Sequence, residues 1–178
     1  MNTEAPIIVR EARDGDCRAI ADLSYRLLRY ERALYPEMGE LSPWAGTESE
    51  IRKQMHRPDT RFFVAEKEGE IAGYVKAVRH GAVPGAIEKT ARRLIDFILR
   101  RPRPNVQSMG GLIPGLFVRE EERRTSIGQR LVEAAEDWLR AQGMPASHIH
   151  VLTANQIARE FWDARGYRPI MLGLQKKL

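Results

Sequence analysis

The sequence predicts an α/β fold in which helices cover a layered β-sheet. Three observations lead to this: two helix-period segments stand near the start, a pair of β-rich runs follows, and strands and helices alternate through the second half. At 178 residues the chain has the length of one ordinary domain, and it contains no repeat, low-complexity tract or linker. We therefore expect a single domain that comprises residues 1–178.

The first third of the chain predicts one short strand and two helices. Residues Ile7 to Arg10 form a short β-rich run, and the turn at Asp14-Gly15-Asp16 offers an N-cap to the helix behind it. Apolar residues then recur at intervals of three and four residues until Pro36 ends the helix. The capping box Thr47-Glu48-Ser49-Glu50 begins a second helix, which Pro58 ends.

A β-hairpin and an insertion follow. Residues 61–66 and 71–78 are β-rich runs joined by the short connection Lys67 to Glu70. The segment 81–110 is longer than a hairpin needs and combines an amphipathic helix pattern with several arginines. We expect a helical insertion there, which serves as a lid, a dimer contact, an anion-binding arm or a plain surface helix.

The remaining five elements alternate between strand and helix. They are a strand at Leu112 to Val118, a helix at Ile127 to Gln142, a strand at His148 to Leu152, a helix at Gln156 to Arg165, and a strand at Pro169 to Leu174. Pro114 and Gly115 are poor residues for a strand interior and are common at bulges. We expect a bulge there that parts this strand from its neighbour near Val151.

Composition excludes several classes of protein. The apolar runs are too short to cross a bilayer, and the N-terminus lacks the pattern of a secretion signal. Cys17 is the only cysteine, which excludes an intramolecular disulfide and a multi-cysteine metal site. His148 and His150 alternate on one strand face without a third ligand, so we expect no metal. We expect a cytoplasmic protein with no membrane partner, and the net charge of +5 favours anionic ligands.

The most informative stretch is the loop between the strand that ends at Val118 and the helix that begins at Ile127. A helix start leaves backbone N–H groups without intrachain partners, all directed at one place. Two arginines precede small residues at Thr125, Ser126 and Gly128, so an anion can approach the main chain closely. The loop predicts a phosphate-binding site.

This loop resembles motif A of the GNAT acetyltransferase superfamily. Arg123, Ser126 and Gly128 occupy the positions of the family pattern Gln/Arg-x-x-Gly-x-Gly/Ala, with Ser126 in place of the first glycine. Serine fits without penalty if its φ is negative, whereas a positive φ costs about 1 to 3 kcal/mol.

A second block strengthens the resemblance. Asn155, Ala158, Phe161-Trp162 and Gly166-Tyr167 have the spacing of the family signature Asn-x-x-Ala-x-x-Phe-Tyr-x-x-x-Gly-Phe. The two motifs stand in the family's order, separated by one helix and one strand. The resemblance covers roughly residues 61 to 178, and the first sixty residues in outline.

The resemblance implies a mixed, largely antiparallel central sheet flanked by helices, with a splay between the fourth and fifth main strands. It implies acetyl-CoA as the acyl donor and an N-acetyltransferase in which a primary amine attacks the thioester directly in a ternary complex. The residues that it assigns to the cofactor are Leu116, Phe117 and Val118 along pantetheine, Arg123, Arg124, Thr125, Ser126, Ile127, Gly128 and Gln129 around the pyrophosphate, and Asn155 and Trp162.

The sequence offers several candidates for the catalytic residues. The family often uses a glutamate on the bulged strand, but residues 110–113 contain none. Glu31 falls on the apolar face of the first helix, where a carboxylate is unfavourable unless it has a partner or a function, so it is the candidate base. The alternative is a structural ion pair with an arginine. His80 is a lesser candidate, and Glu120 to Glu122 are interpreted as a solvated acidic turn. Tyr167 or water would protonate the leaving thiolate, or the thiolate would leave without an acid.

Other functions remain open at this stage. A CoA-binding regulatory or interaction domain without turnover is one, because Ser126 and Trp162 depart from the family pattern. Nucleic acid is disfavoured as a partner, because aromatic residues are not interleaved with the arginine-rich segment. The expected partner is a small-molecule or peptide amine acceptor. A homodimer through the insertion or the C-terminal strand is a further expectation.

Overall fold

A computed structural model describes residues 6–38, 46–79 and 110–176. The strands are β1 (Ile8–Glu11), β2 (Thr60–Lys67), β3 (Glu70–Arg79), β4 (Gly111–Val118) and β5 (Ser147–His148). The helices are α1 (Cys17–Leu34), α2 (Glu48–Met55), α3 (Ile127–Ala141) and α4 (Gln156–Asp163), and short 3-10 turns lie at Asp14–Asp16, Pro36–Met38 and Glu120–Glu122. The expected helical insertion lies outside the described residues except for Gly110, and so does His80.

The five strands form one sheet in the order β1-β2-β3-β4-β5. The first three pairings are antiparallel and the last is parallel, which confirms the mixed, largely antiparallel sheet. The turn of the β2–β3 hairpin contains Glu68 at φ 54° and Gly69 at φ 80°. Two successive left-handed residues match the right-handed twist of the flanking strands, as a two-residue hairpin requires.

The sheet splays between β4 and β5, as expected. Only Gly111 with Ser147 and Leu112 with His148 are paired, and the described residues contain no further rung beyond them. On the other side of β4, the register shifts between Lys76 and Val78. Residues 113 and 114 of β4 therefore stand opposite the single residue Ala77. The bulge predicted from Pro114 therefore lies on β4 directly after Leu112, where β4 begins to separate from β5.

Each face of the sheet has its own hydrophobic core. The α3 core lies under α3 and α4 and includes Val75, Ala77, Ile113, Ile127, Leu131, Val132, Ala135, Leu139 and Trp162. The α1 core lies under α1 and α2 and includes Cys17, Ile20, Leu23, Ile51, Phe62, Val64, Tyr74 and Phe117. No helix in the described parts of the chain combines the length and apolar character needed to cross a membrane.

Side-chain caps fix two of the helix starts that the sequence predicts. The Oγ1 atom of Thr47 accepts a hydrogen bond from the N–H of Glu50 at 3.3 Å, at the start of α2. The Oδ1 atom of Asn155 accepts from the N–H of Ala158 at 3.1 Å, at the start of α4. Each cap satisfies one of the donors that a helix start leaves without an intrahelical partner.

Two strand predictions differ from the structure. The strand expected at 148–152 is reduced to Ser147–His148, because β4 moves away from the residues that follow. The strand expected at 169–174 is wrong: residues 168–176 have no regular structure, and Ile170, Met171, Leu172 and Leu174 are 65 to 88% exposed. A strand needs a neighbouring strand to pair with, and this segment pairs with none of the described strands.

Candidate functional site

The loop that leads into α3 presents six successive backbone N–H groups, those of residues 124–129. The N–H of Arg123 donates to Glu120 at 3.2 Å, and that of Arg130 donates to Ser126 at 3.0 Å. Between them, no N–H of residues 124–129 has an acceptor in the described chain. The donors expected for a phosphate site are therefore open, at the positive end of the α3 dipole.

The backbone of this loop is strained in a way that gathers those donors. Arg124 has φ 66° and Ser126 has φ 64°, with Thr125 at negative φ between them. Such alternation turns successive N–H groups toward the same side and forms an anion-binding concavity. The positive φ of Ser126 is the case in which serine is a poor substitute for glycine, and it costs about 1 to 2 kcal/mol. The Oγ1 atom of Thr125 donates to the carbonyl of Glu122 at 2.5 Å and holds the loop.

The two arginines of the loop have different surroundings. The Nε of Arg123 donates to the carbonyl of Val118 at 3.2 Å, and its guanidinium lies 5.5 Å from the centre of the Phe117 ring. Arg124 is exposed and has no hydrogen-bond or ion-pair partner within the part of the chain that the structure describes. Arg124 is thus the side chain available to an anion held by the loop, whereas Arg123 ties the loop to β4.

Gly128 has a packing role that the sequence did not reveal. A Cβ atom at this position would lie 3.1 Å from Cε2 of Phe161. That separation is tighter than ordinary van der Waals contact, so a side chain would push α4 away from the start of α3. The same glycine therefore serves the first motif and seats the aromatic residue of the second.

The second motif is largely structural. Trp162 is 8% exposed and makes edge-to-face contacts with Phe161 and Tyr167 at centroid distances of 5.1 and 4.9 Å. Asn155 is also buried, and its carbonyl oxygen caps α4. Burial in the α3 core is the observed environment of Trp162, and contacts of Asn155 and Trp162 with a cofactor stay predictions.

The Tyr167 hydroxyl is engaged by two groups of the protein. It donates to Oε1 of Glu136 at 2.8 Å and lies 2.5 Å from Oγ of Ser147. Burial, together with the bond to Glu136, raises the pKa of Tyr167 well above its usual range, while Ser147 opposes the shift. The hydroxyl joins α3 to β5 at the base of the splay.

Residues Leu116, Phe117 and Val118 lie on the part of β4 that has no partner on the β5 side. They pair with Val75, Tyr74 and Gly73 of β3 on the other side. The Phe117 side chain enters the α1 core, and Leu116 and Val118 pack against the α3 core. An extended ligand could add to this open edge as a further strand does.

A cleft of about 330 Å³ opens on the α1 side of this strand. Its lining residues are Arg26, Arg29 and Tyr30 from α1, Phe117 from β4, and Glu120 and Glu121 from the turn that follows β4. The interpretation of Glu120 to Glu122 as a solvated acidic turn is therefore incomplete. Glu122 pairs with Lys67 at 2.8 Å, whereas the first two glutamates face the cleft.

Glu31 is a half-buried carboxylate of α1 whose charge acts on the phenol of Tyr74. It makes no hydrogen bond or ion pair with any described residue, so the pairing with an arginine is not observed. Burial raises the pKa of Glu31 above its ordinary value. The pKa of the Tyr74 phenol is raised to about 12, mainly by burial and to a smaller extent by the charge of Glu31, with Ser24 opposing. The Tyr74 oxygen lies 3.1 Å from the position that a Cβ of Gly115 would take.

His148 lies at the base of the splay. His148 Nδ1 lies 3.4 Å from the carbonyl oxygen of Gly111, at the one place where β4 and β5 are paired. No group of three or more candidate ligands comes together among the described residues.

Comparisons with known proteins agree with this geometry. The sequence model of the acetyltransferase (GNAT) family matches residues 25–167. No curated protein matches the sequence.

Several solved structures share the fold. A tetramutant of the BH1408 protein from Bacillus halodurans superposes with a TM-score of 0.75 at 20% identity, covering 96% of this chain and 99% of that one. The aminoglycoside N-acetyltransferase AAC(6')-Iy, in complex with CoA, gives 0.68 at 14% identity, with 100% and 98% covered. An aminoglycoside acetyltransferase from an uncultured soil metagenomic sample gives 0.61 at 14% identity, with 97% and 96% covered. At these identities the likeness concerns the fold.

Proposed function

The chain belongs to the acetyltransferase (GNAT) family, and from this premise we propose that it is an N-acetyltransferase that moves the acetyl group of acetyl-CoA to a primary amine. The observation that carries the proposal is the row of open N–H groups at residues 124–129, located where β4 and β5 separate. We further propose that residues 1–178 act as one catalytic domain with an insertion between β3 and β4.

The diphosphate of acetyl-CoA would lie on the N–H groups of residues 124–129, with Arg124 beside it. Charge-assisted hydrogen bonds of this kind contribute about 1.5 to 3 kcal/mol each, so loss of one weakens binding without abolishing it. The pantetheine amides would pair with the open edge of Leu116 to Val118, which would direct the thioester toward Gly115 and the bulge at residues 113 and 114.

The acceptor amine must lose its proton before it attacks. An alkylamine with a pKa near 10 is only about one part in a thousand neutral at pH 7. Glu31, partly desolvated and without a partner, is the proposed base. Glu31 would take one proton from the ammonium group, directly or through water, and the neutral nitrogen would then attack the thioester carbonyl. As the C–S bond breaks, the second proton would pass from the nitrogen to solvent or to the departing thiolate.

The leaving group needs no acid from the protein. A thiol has a pKa near 8.5, so the thiolate of CoA is an adequate leaving group. Tyr167, whose hydroxyl is bonded to Glu136, has no part in this step. The neighbours named as aminoglycoside acetyltransferases support a small-molecule amine as the acceptor class.

The test measures binding and turnover separately. Acetyl-CoA should raise the melting temperature, and a panel of primary amines should release free CoA thiol from it. Glu31→Gln should lower kcat about 10²-fold or more and keep the thermal stabilisation by acetyl-CoA. Glu160→Gln, on the exposed side of α4, is the matched control and should leave kcat unchanged.

Two results would contradict the proposal at different levels. If acetyl-CoA stabilises the protein but no amine in the panel causes release of CoA thiol, the protein is a CoA-binding module and not a transferase. An unchanged kcat in Glu31→Gln would retain the transferase and remove Glu31 from its mechanism.

A further inference from the structure

The cleft beside Phe117 has walls of opposite charge that do not neutralise each other. Arg29 on α1 makes no hydrogen bond or ion pair within the described residues, and the same holds for Glu121 on the facing wall. Arg26 differs, because it is paired with Asp22 at 3.0 Å. An open guanidinium and an open carboxylate thus line one cleft of about 330 Å³.

The positions of these charges follow from the backbone. Arg26, Arg29 and Tyr30 recur at the three- and four-residue spacing that places side chains on one face of a helix. The glutamates belong to the 3-10 turn directly after β4. Because α1 and this turn are separate elements, a ligand that carries both charges can bridge the two walls.

Resting on the proposed function, we propose that the acceptor amine also carries an oxyanion group, a carboxylate or a phosphate, and that Arg29 binds it in this cleft. The planar guanidinium matches both groups through two parallel N–H donors. Tyr30 and Phe117 offer an apolar surface to the carbon chain between the amine and the oxyanion. Glu121 favours the cationic amine before it is deprotonated, whereas Glu120 already pairs with Arg123 at 3.7 Å.

The same charges argue against two other occupants. A polycationic acceptor would place additional ammonium groups against Arg26 and Arg29. The diphosphate of the cofactor would meet two carboxylates in this cleft, whereas the loop at 124–129 offers six open N–H groups and Arg124. The cleft is therefore assigned to the acceptor and the loop to the cofactor.

The test compares amines in matched pairs. One pair is an ω-amino acid and its amide, and another is an aminoalkyl phosphate and the corresponding amino alcohol; each is assayed with acetyl-CoA by thiol release. The wild-type chain should prefer the anionic member of at least one pair by about tenfold or more in kcat/KM, the magnitude of a charge-assisted bond. The pair that shows the preference identifies carboxylate or phosphate.

Variants then locate the preference. Arg29→Gln should reduce the ratio to about one through a higher KM for the anionic amine, and Arg29→Lys should retain part of it. Arg32→Gln is the matched control, because Arg32 is exposed on α1 and does not line the cleft. It should leave the ratio and the turnover unchanged.

The outcomes separate this inference from the proposed function. Equal turnover of both members in every pair, or an unchanged ratio in Arg29→Gln, overturns the inference and leaves the N-acetyltransferase intact. Loss of thermal stabilisation by acetyl-CoA in Arg29→Gln also overturns it, since Arg29 would then belong to the cofactor site. Absence of thiol release with any amine overturns both.

Discussion

The two faces of the sheet differ in how many partly buried polar side chains they contain. The α3 core is built from apolar side chains, and the open backbone N–H groups that we propose as the cofactor site lie at its edge. The α1 side holds the buried phenol of Tyr74 and the half-buried groups of Glu31 and Lys76. Burial lowers the pKa of Lys76, whose Nζ donates to Oε1 of Gln54 at 2.7 Å.

This contrast shows how the fold divides stability from specificity. Binding through the main chain demands no polar side chain, so the core below it can be apolar throughout. Binding through side chains requires partly desolvated polar groups, each of which is unfavourable unless it finds a partner. We therefore expect substitutions at the base of the splay to act on stability, and those on the α1 face to act on pH dependence and acceptor choice.

The largest effect should come from the base of the splay, which both faces share. In Gly110→Ala the new Cβ would overlap the carbonyl oxygen of Ala146. Since that contact is with backbone, we expect a loss of about 3 kcal/mol in the free energy of unfolding, measured by urea denaturation. Gly15→Ala is the control, because nothing lies within 4 Å of the added atom. Similar urea midpoints for the two variants would contradict this and show that the backbone at the base of the splay can shift to accommodate the added Cβ.

An intermediate effect should separate strain from binding in the phosphate loop. Ser126→Gly removes the left-handed penalty and should stabilise the chain by about 1 kcal/mol, with acetyl-CoA affinity retained or improved. The same change at Ser49, exposed within α2, should instead destabilise by about 0.5 to 1 kcal/mol. A loss of acetyl-CoA affinity in Ser126→Gly would mean that the hydroxyl, and not the backbone alone, holds the cofactor.

The smallest effect should be the pH dependence that Glu31 imposes on stability. Its pKa is raised in the folded state, so the folded chain binds more protons than the unfolded one between the two pKa values. Its unfavourable contribution is therefore absent below the unfolded pKa and fully present above the folded pKa. Relative to wild type, Glu31→Gln should gain stability as pH rises from about 4 to 7.

Urea denaturation at a series of pH values measures that difference. Glu160→Gln makes the same substitution at an exposed position of α4 and is the control for the change from carboxylate to amide. A stability difference between Glu31→Gln and wild type that does not change with pH would mean that Glu31 is fully hydrated in solution.

The sequence predicted the helix starts, the bulge and the phosphate loop because each depends on a few neighbouring residues. Thr47 caps α2, Pro114 lies in the bulge, and the N–H groups of residues 124–129 are open. The φ of Ser126 could not be predicted, because a serine at that position is compatible with either sign. Its value depends on the path from β4 into α3.

Tertiary relations account for what the sequence did not show. Arg26 and Arg29 lie off the apolar stripe of α1, so periodicity assigns them to solvent although the turn after β4 faces them. The failed strand at 169–174 has a suitable composition but no neighbour among the described strands. Gly128 leaves room for the ring of Phe161, which lies about thirty residues later in the sequence. This contact depends on the packing of α4 against α3 and has no local sequence signal.

The two rungs that join β4 to β5 have a consequence for how a long, flexible molecule enters and departs. Because the strands diverge directly after Leu112 and His148, threading such a chain between them ruptures no hydrogen bond of the sheet. Acetyl-CoA bound as proposed would enter and leave without local unfolding, and its residence time would depend on its own contacts with the protein.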